Sequence, residues 1–291
     1  MRFSIFVFLF LLGVEPASAG GLPYLIGTEA SIEAIAQAFA SPALPSLDGD
    51  GQKLTPMFGV VTITGVDDSG DLPPGTNTSI YNGQVKGNVA SLTYASVGKG
   101  DFGYFVVFAG TKLTGGSMTA KWSSGTDTVT NISATGYTAT AALSYRLIGS
   151  EKSIFALGLF AGPAYMSVSA TENVVQAGGT PASVSFDGSF HGLYYGLQLE
   201  LRIADFKLNP YLTSYTDLGD HCRQDLNVQS QLPVTSLCLG GQPGYDIDTT
   251  MWGVGINVGY GPFTLNVDSE GNGVHRYLKA KSYALSYGIH F

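Results

Sequence analysis

Large apolar side chains alternate with small or polar ones in repeated stretches of about ten residues from Leu54 to the end of the chain. In the segment 136–147, GYTATAALSYRL, the odd positions are apolar or aromatic and the even positions are mostly small or polar. Side chains of a β-strand alternate between its two faces, so this pattern predicts strands with one apolar and one polar face. The same pattern recurs at 155–165, 193–203, 252–260 and 282–291. The chain is therefore predicted to be all-β.

Ten strands are predicted, and the connections between them alternate in length. The short connections lie near 98–101, 148–152, 204–205 and 261, and the remaining gaps are long. Such alternation is typical of an up-and-down antiparallel transmembrane β-barrel with short periplasmic turns and long outer loops. Strand boundaries inferred from sequence shift by several residues, so eight or twelve strands also fit. The predicted strands are 54–66, 83–97, 101–113, 135–147, 153–168, 187–203, 206–217, 249–260, 262–269 and 279–291.

Aromatic residues lie at both ends of the apolar face in several predicted strands, as Tyr137 and Tyr145 do in the segment above. The two ends are 8 to 10 residues apart. At about 3.3 Å per residue, along a strand tilted by about 40°, this separation gives roughly 20 to 25 Å. That height matches the apolar band between the two aromatic girdles of an outer-membrane barrel. The apolar face is therefore predicted to face lipid.

The two ends of the chain carry features of an exported protein. A basic start at residues 1–2, an apolar run at 3–14 and small residues up to Ala19 form the pattern of a secretory signal peptide, with cleavage expected after Ala19. The apolar run is too short for a bilayer-spanning helix, which needs about 20 residues. At the other end, the last predicted strand places Tyr287, Ile289 and Phe291 on its apolar face.

With a signal peptide, amphipathic strands and a closing strand that ends on an aromatic residue, the chain resembles bacterial outer-membrane β-barrel proteins over roughly residues 54–291. The resemblance implies location in the outer membrane and contact with its lipid and lipopolysaccharide. It also implies that Tyr287, Ile289 and Phe291 form the C-terminal signal read by the barrel assembly machinery. The chain would then comprise the signal peptide at 1–19, an N-terminal segment at 20–53 and the barrel at 54–291.

The N-terminal segment is predicted to contain a short amphipathic helix. Thr28 suits the N-cap position, Pro42 suits the end, and Ile32, Ile35 and Phe39 share one face. Four roles stay open for this segment: a plug inside the barrel, an anchor on the membrane surface, a segment that docks a periplasmic partner, or a flexible linker.

The inward faces of the predicted strands divide into two regions. Near the periplasmic end they carry both signs of charge, which predicts either an ion-pair network that plugs a narrow lumen or a selectivity constriction. Higher up, small side chains surround the apolar residues Phe105, Val107 and Phe160. The predicted constriction residues are Arg146, Gln198, Glu200, Arg202, Lys207, Asn209, Asn257, Asn266 and His290.

Charge is sparse and mainly negative. Charged residues make up 12% of the chain, and the formal net charge is −8. Acidic residues such as Glu172 and Asp187 are predicted on outer loops and their rims, as a solvated surface or a cation-attracting one. A negative surface repels phosphates, so no nucleic-acid partner is expected. No histidine pair has metal-ligand spacing and the segment LDGDGQK departs from a calcium loop, so no metal or cofactor is expected.

Cys222 and Cys238 are the two cysteines of the chain and lie sixteen positions apart in a polar, turn-rich stretch. In an exported protein such a pair predicts a disulfide that closes a surface loop. Neither cysteine belongs to a CxxC motif, so metal binding by the pair is the weaker interpretation.

Two enzyme types on outer-membrane barrels provide further hypotheses. Omptin-type proteases carry an Asp-x-His pair, but Asp220 and His221 are adjacent and would face opposite sides of a strand. Lipid A deacylases carry a His-x-Ser pair on the lipid-facing side, and Ser189 and His191 share the outward face in reversed order. These two residues are weak candidates for a nucleophile and its base.

The favoured function is a narrow passive conduit or binding barrel for small, partly apolar molecules, because the upper lumen is predicted to be small and apolar. The main alternative is a structural barrel that anchors surface loops or a periplasmic partner. A lipid-modifying enzyme or protease ranks third, so the protein is not expected to be an enzyme.

Overall fold

The computed structural model describes residues 51–65, 80–97, 101–122, 125–149, 153–175, 179, 181–228, 234–239, 251–272 and 278–291. The predicted signal peptide and the helix carrying Ile32, Ile35 and Phe39 lie outside these residues. Within the described ranges, no helix has the length and apolar character needed to cross a membrane. Almost all described residues belong to β-strands.

Ten antiparallel strands close into a barrel, as predicted. From the first to the seventh strand each pairs with the next in sequence, β7 pairs with β9, β9 to β11 continue in order, and β11 returns to β1. Strand β12 continues β11 beyond Gly288 along the start of β1, and β8 pairs with the upper part of β7 outside the barrel circuit. The strands are β1 Gly51–Gly65, β2 Ile80–Val97, β3 Phe102–Trp122, β4 Gly125–Ile148, β5 Phe155–Val175, β6 Pro181–Ile203, β7 Phe206–Val228, β8 Val234–Leu239, β9 Met251–Tyr260, β10 Phe263–Asn272, β11 Leu278–Tyr287 and β12 Ile289–His290.

Tight turns join the strands at one end, which fixes the periplasmic side. Residues 204–205 join β6 to β7, and Gly261 with the next residue joins β9 to β10. Ala204 and Gly261 adopt left-handed backbone angles, with φ of 54° and 57°, which let the chain reverse within two residues. The start of β1 and the C-terminus lie at the same end, because Lys53 and His290 are paired.

The opposite end differs from the prediction, because segments predicted as long loops are continuous strands. The segments 114–122, 125–134, 169–175, 181–186 and 218–228 extend β3 to β7, which reach 21, 24, 21, 23 and 23 residues. Two features obscured them in the sequence. Polar residues replace apolar ones on the outward face there, and bulges at Gly115, Gly116 and Asn131 interrupt the alternation.

The outward face of the barrel carries a continuous apolar belt. Leu143, Tyr137 and Phe58 are all more than half exposed, as lipid-facing side chains must be. Aromatic pairs line the periplasmic edge of this belt: the ring centroids of Phe102 and Tyr145 are 4.6 Å apart. The closing strand follows the prediction, with its alternate apolar side chains up to Phe291 exposed on the outside.

Candidate functional site: a layered lumen

The periplasmic layer of the lumen is built around one buried carboxylate. Glu200 on β6 is 0% exposed and accepts hydrogen bonds from Nε of Arg202 and from Nδ2 of Asn209, the latter at 3.1 Å. Gln198 lies two residues further along the same inward face and is also buried. The structure therefore brings four of the predicted constriction residues together, with the carboxylate held between a cation and an amide.

Arg146 lies in the same layer but is less well paired. It is 6% exposed, and its guanidinium is 3.9 Å from the half-exposed carboxylate of Asp101. Its Nε atom has no hydrogen-bond partner among the described residues. An arginine buried this deeply, beside one partly solvated acid, keeps the periplasmic layer polar.

A row of three asparagines, visible only once strands are in register, completes this layer. Asn209, Asn257 and Asn266 are register partners across β7, β9 and β10. Asn266 donates from Nδ2 to the carbonyl of Ala284 on β11, at 3.3 Å. The row extends the hydrogen-bonding surface of this layer from β7 to β10.

The mouth of the barrel holds Lys207, His290 and one lysine that the sequence did not single out. Lys207 is half-buried, whereas His290 is exposed at the end of β12 and does not narrow the lumen. Lys53, assigned to the N-terminal segment from sequence, belongs to β1. Its ammonium group lies over Gly288, where an added Cβ would be 3.0 Å from Nζ. Lys53 thus adds a second half-buried lysine at the mouth.

The middle layer is aromatic. Phe105 and Val107 are fully buried, and Phe160 nearly so. The ring of Phe160 meets that of Phe105 edge-on at 5.7 Å and that of Tyr194 at 5.1 Å. Gly196 provides the space, because a side chain there would collide with Phe160. The three predicted upper-lumen residues therefore belong to one packed cluster.

The layer nearest the outer end is aliphatic. Ile63, Leu113, Met118 and Ile132 are fully buried, in a cluster contributed by seven strands. Glu172, predicted on an outer loop or rim, lies instead on β5 and is 4% exposed. The prediction was wrong because the alternation of β5 continues beyond the apolar belt and turns residue 172 inward. From bottom to top, the lumen is charged, then aromatic, then aliphatic.

A groove of about 550 Å³ opens on the lipid-facing side of β3 to β7. Its walls are outward side chains such as Leu143, Tyr195 and Leu212. Phe160 and Gly196, which belong to the middle layer of the lumen, form part of the groove lining. One strand thickness therefore separates the groove from the aromatic cluster.

Comparisons with known proteins agree on this architecture. No protein-family model matches the sequence, and no curated protein matches it significantly. Among solved structures, the outer membrane protease OmpT from Escherichia coli superposes with a TM-score of 0.52 at 11% identity, covering 84% of this chain and 97% of that one. The translocator domain of the autotransporter NalP from Neisseria meningitidis gives 0.48 at 13% identity, covering 92% and 99%. OprG from Pseudomonas aeruginosa gives 0.40 at 11% identity, covering 84% and 99%.

The protein has the fold of the bacterial outer-membrane β-barrel proteins. The shared fold, the closed circuit of ten strands and the exposed apolar belt place it in the bacterial outer membrane, with the belt in contact with lipid. Identities of 8 to 13% to the solved structures carry fold and not activity. Recognition of Tyr287, Ile289 and Phe291 by the assembly machinery stays a prediction.

The outer surface of the barrel gathers the two candidate catalytic residues with a third side chain. Ser189 on β6 is the register partner of His221 on β7, and His191 is the partner of Gly219. The imidazole of His191 lies over Gly219, where an added Cβ would be 2.7 Å from Nε2. Sequence reasoning missed His221 as a neighbour of Ser189 because the pairing needs the strand register. Among the described residues, no group of three side chains could hold a metal ion.

Proposed function

We propose that this outer-membrane barrel binds small, partly apolar molecules in its aromatic middle layer and serves as a narrow passive conduit for them. The observation that carries the proposal is the cluster of Phe105, Phe160 and Tyr194, which fills the lumen between a charged and an aliphatic layer. Aromatic faces and edges favour contact with other apolar and aromatic groups.

The order of the layers determines which solutes could enter. An ion would lose its hydration in the aromatic and aliphatic layers, at a cost of several kcal/mol or more. A molecule with an apolar body and a hydrogen-bonding group would lose much less, since Glu200, Arg146 and the asparagine row lie just below the aromatic layer. The proposed solute is therefore neutral and amphipathic.

The lipid-facing groove supports entry from the membrane as well as from the mouth. Phe160 and Gly196 line both the groove and the lumen cluster. Phe160 and Gly196 are register partners of β5 and β6, so joining the two spaces would require the ladder between these strands to open there. Apolar solutes concentrate in the bilayer, so their concentration at the entrance of such a lateral route would be higher than in water.

Methionines provide natural reporters for this proposal. Met57 and Met166 are buried in the middle cluster, whereas Met118 is buried in the outer aliphatic cluster. With methionine methyl groups labelled with ¹³C, titration of the refolded protein with p-cresol should shift the Met57 and Met166 resonances saturably. The Met118 resonance should stay in place. A Phe160→Trp variant, which fills the same space, should weaken the shifts.

A uniform shift of all buried methyl groups, or no shift at any p-cresol concentration, would remove the binding proposal. That outcome would favour the second candidate, a structural barrel that anchors its outer surface. The observation in favour of this candidate is that side chains fill the lumen in three successive layers, as in eight-stranded barrels without a channel.

A further inference from the structure

The outward face of the barrel reverses its character partway along β3 to β7. Below Tyr137 and Tyr165 the outward side chains are apolar and lipid-facing. Above them, the same five strands turn polar side chains outward and apolar side chains inward. The outward residues at 112–117, 130–135, 169–173, 183–187 and 223–227 form a surface that we name the polar wall.

Strand register arranges the polar wall in three rows of five residues. None of the three rows contains an apolar side chain. Most positions carry a hydroxyl group, which both donates and accepts hydrogen bonds. All are exposed or half-exposed. The middle row consists of Thr114, Ser133, Thr171, Ser185 and Asp225.

The few charges of the polar wall balance one another. Arg223 forms a two-pronged ion pair with Asp225, with Nε 3.0 Å from Oδ2 and Nη2 3.2 Å from Oδ1. Lys112 and Asp187 lie in the lowest row and are separated by Thr135 and Ser169. With no net charge and many hydroxyl groups, the wall is suited to a neutral, polyhydroxylated partner rather than to a phosphate or a metal.

The position of the wall selects among such partners. It continues the lipid-facing belt upward on the same strands, so it begins where the acyl chains end. From Ser167 to Val175, eight residues at about 3.3 Å each along a strand tilted by about 40° rise roughly 20 Å above that boundary. The strands on the other side, β9, β10 and β11, have ten residues each and are shorter than β3 to β7.

We infer that the polar wall binds the oligosaccharide of a lipopolysaccharide molecule whose acyl chains lie against the apolar belt below. The hydroxyl rows offer hydrogen bonds to the sugar ring hydroxyls, and the lipid anchor holds the sugars beside the wall at high local concentration. Among the described residues, the three rows lie on β3 to β7, so the proposed binding is placed on that side of the barrel. The inference is independent of what occupies the lumen.

The test compares two vesicle compositions and two variants. Protein refolded into vesicles containing lipopolysaccharide with a complete core should resist heat longer than in vesicles with lipid A alone. The expected gain in the half-time of unfolding, followed by loss of the compact electrophoretic form, is about threefold or more, since a ligand of the folded state slows its loss. A triple variant, Ser133→Ala with Thr171→Val and Ser185→Ala, should lose most of this gain.

Thr62→Val on β1 is the matched control, because it removes a half-exposed hydroxyl from a strand that carries none of the three rows. It should keep the full gain. An equal gain in the wild type and the triple variant would overturn the inference. So would an equal gain from delipidated core oligosaccharide added to lipid A vesicles, since the sugars would then bind without their anchor. If the triple variant refolds poorly, Thr171→Asn alone provides a second comparison at the centre of the wall.

Discussion

At the scale of single residues, Glu200 is the side chain with most control over the periplasmic layer. It is the fully buried acid of the constriction set, and its two oxygens accept from Arg202 and Asn209. Removing one partner of a buried ion pair leaves the other charge uncompensated, which costs more than the pair itself contributes. The alternation of β6 predicted that Glu200 faces inward, but its hydrogen-bond partners depend on register and could not be predicted.

Glu200→Gln should therefore destabilise the barrel by about 3 kcal/mol, because Arg202 loses its buried counter-charge while side-chain size is kept. The free energy of unfolding from urea titration in micelles measures the effect. Asp101→Asn is the control: its carboxylate is 52% exposed and 3.9 Å from Arg146, so the change should stay below about 1 kcal/mol. Similar small effects of both substitutions would show that the buried pair does not hold this layer.

At the scale of elements, the sequence predicted the membrane-embedded parts of the strands accurately and missed their outer extensions. The alternation that includes Leu143 and Tyr145 predicts a strand, because the side chains of a loop do not alternate in this way. Ser169 and Thr171 continue the same strand, yet hydroxyl residues are equally common in loops, so the outer half of β5 has no distinctive pattern. The bulge at Asn131, with φ of 54°, further breaks the period in β4.

The pairing of β7 with β8 gives a geometric reason to expect the predicted disulfide. Cys222 and Cys238 are register partners across these strands. Directly opposed residues of an antiparallel pair have Cα atoms about 4.5 to 5.5 Å apart, within the range of about 4.4 to 6.8 Å that a disulfide spans.

Protein isolated from the outer membrane should therefore yield a linked pair of peptides in mass spectrometry without reduction. Closing a loop of about 15 residues should stabilise the hairpin by about 3 kcal/mol against opening. A Cys222→Ser, Cys238→Ser variant should then show faster amide exchange in β8 and unchanged exchange in β5. Alkylation of both cysteines in the unreduced protein would disprove the bond.

At the scale of the whole molecule, the closed barrel and its membrane location follow from the alternation, the short turns and the aromatic ends. What fills the lumen does not follow from them. The sequence predicted an upper lumen with spare volume, and a helix from residues 20–53 as a candidate filler. In the structure, the ring of Phe160 on β5 contacts the rings of Phe105 on β3 and Tyr194 on β6. Contacts between strands far apart in sequence decided this, and alternation within a strand carries no information about them.

The central claim is that side chains of the described strands form aromatic and aliphatic layers in the lumen, which exclude ions and admit only neutral, partly apolar molecules. Single-channel current across a planar bilayer tests it most directly, for the mature chain and for a chain lacking residues 20–50. The account predicts no steady current from either, because the aromatic and aliphatic layers belong to the strands themselves. A steady current from the mature chain, or one that appears only after the deletion, would contradict the account, and the second result would identify the N-terminal segment as the plug.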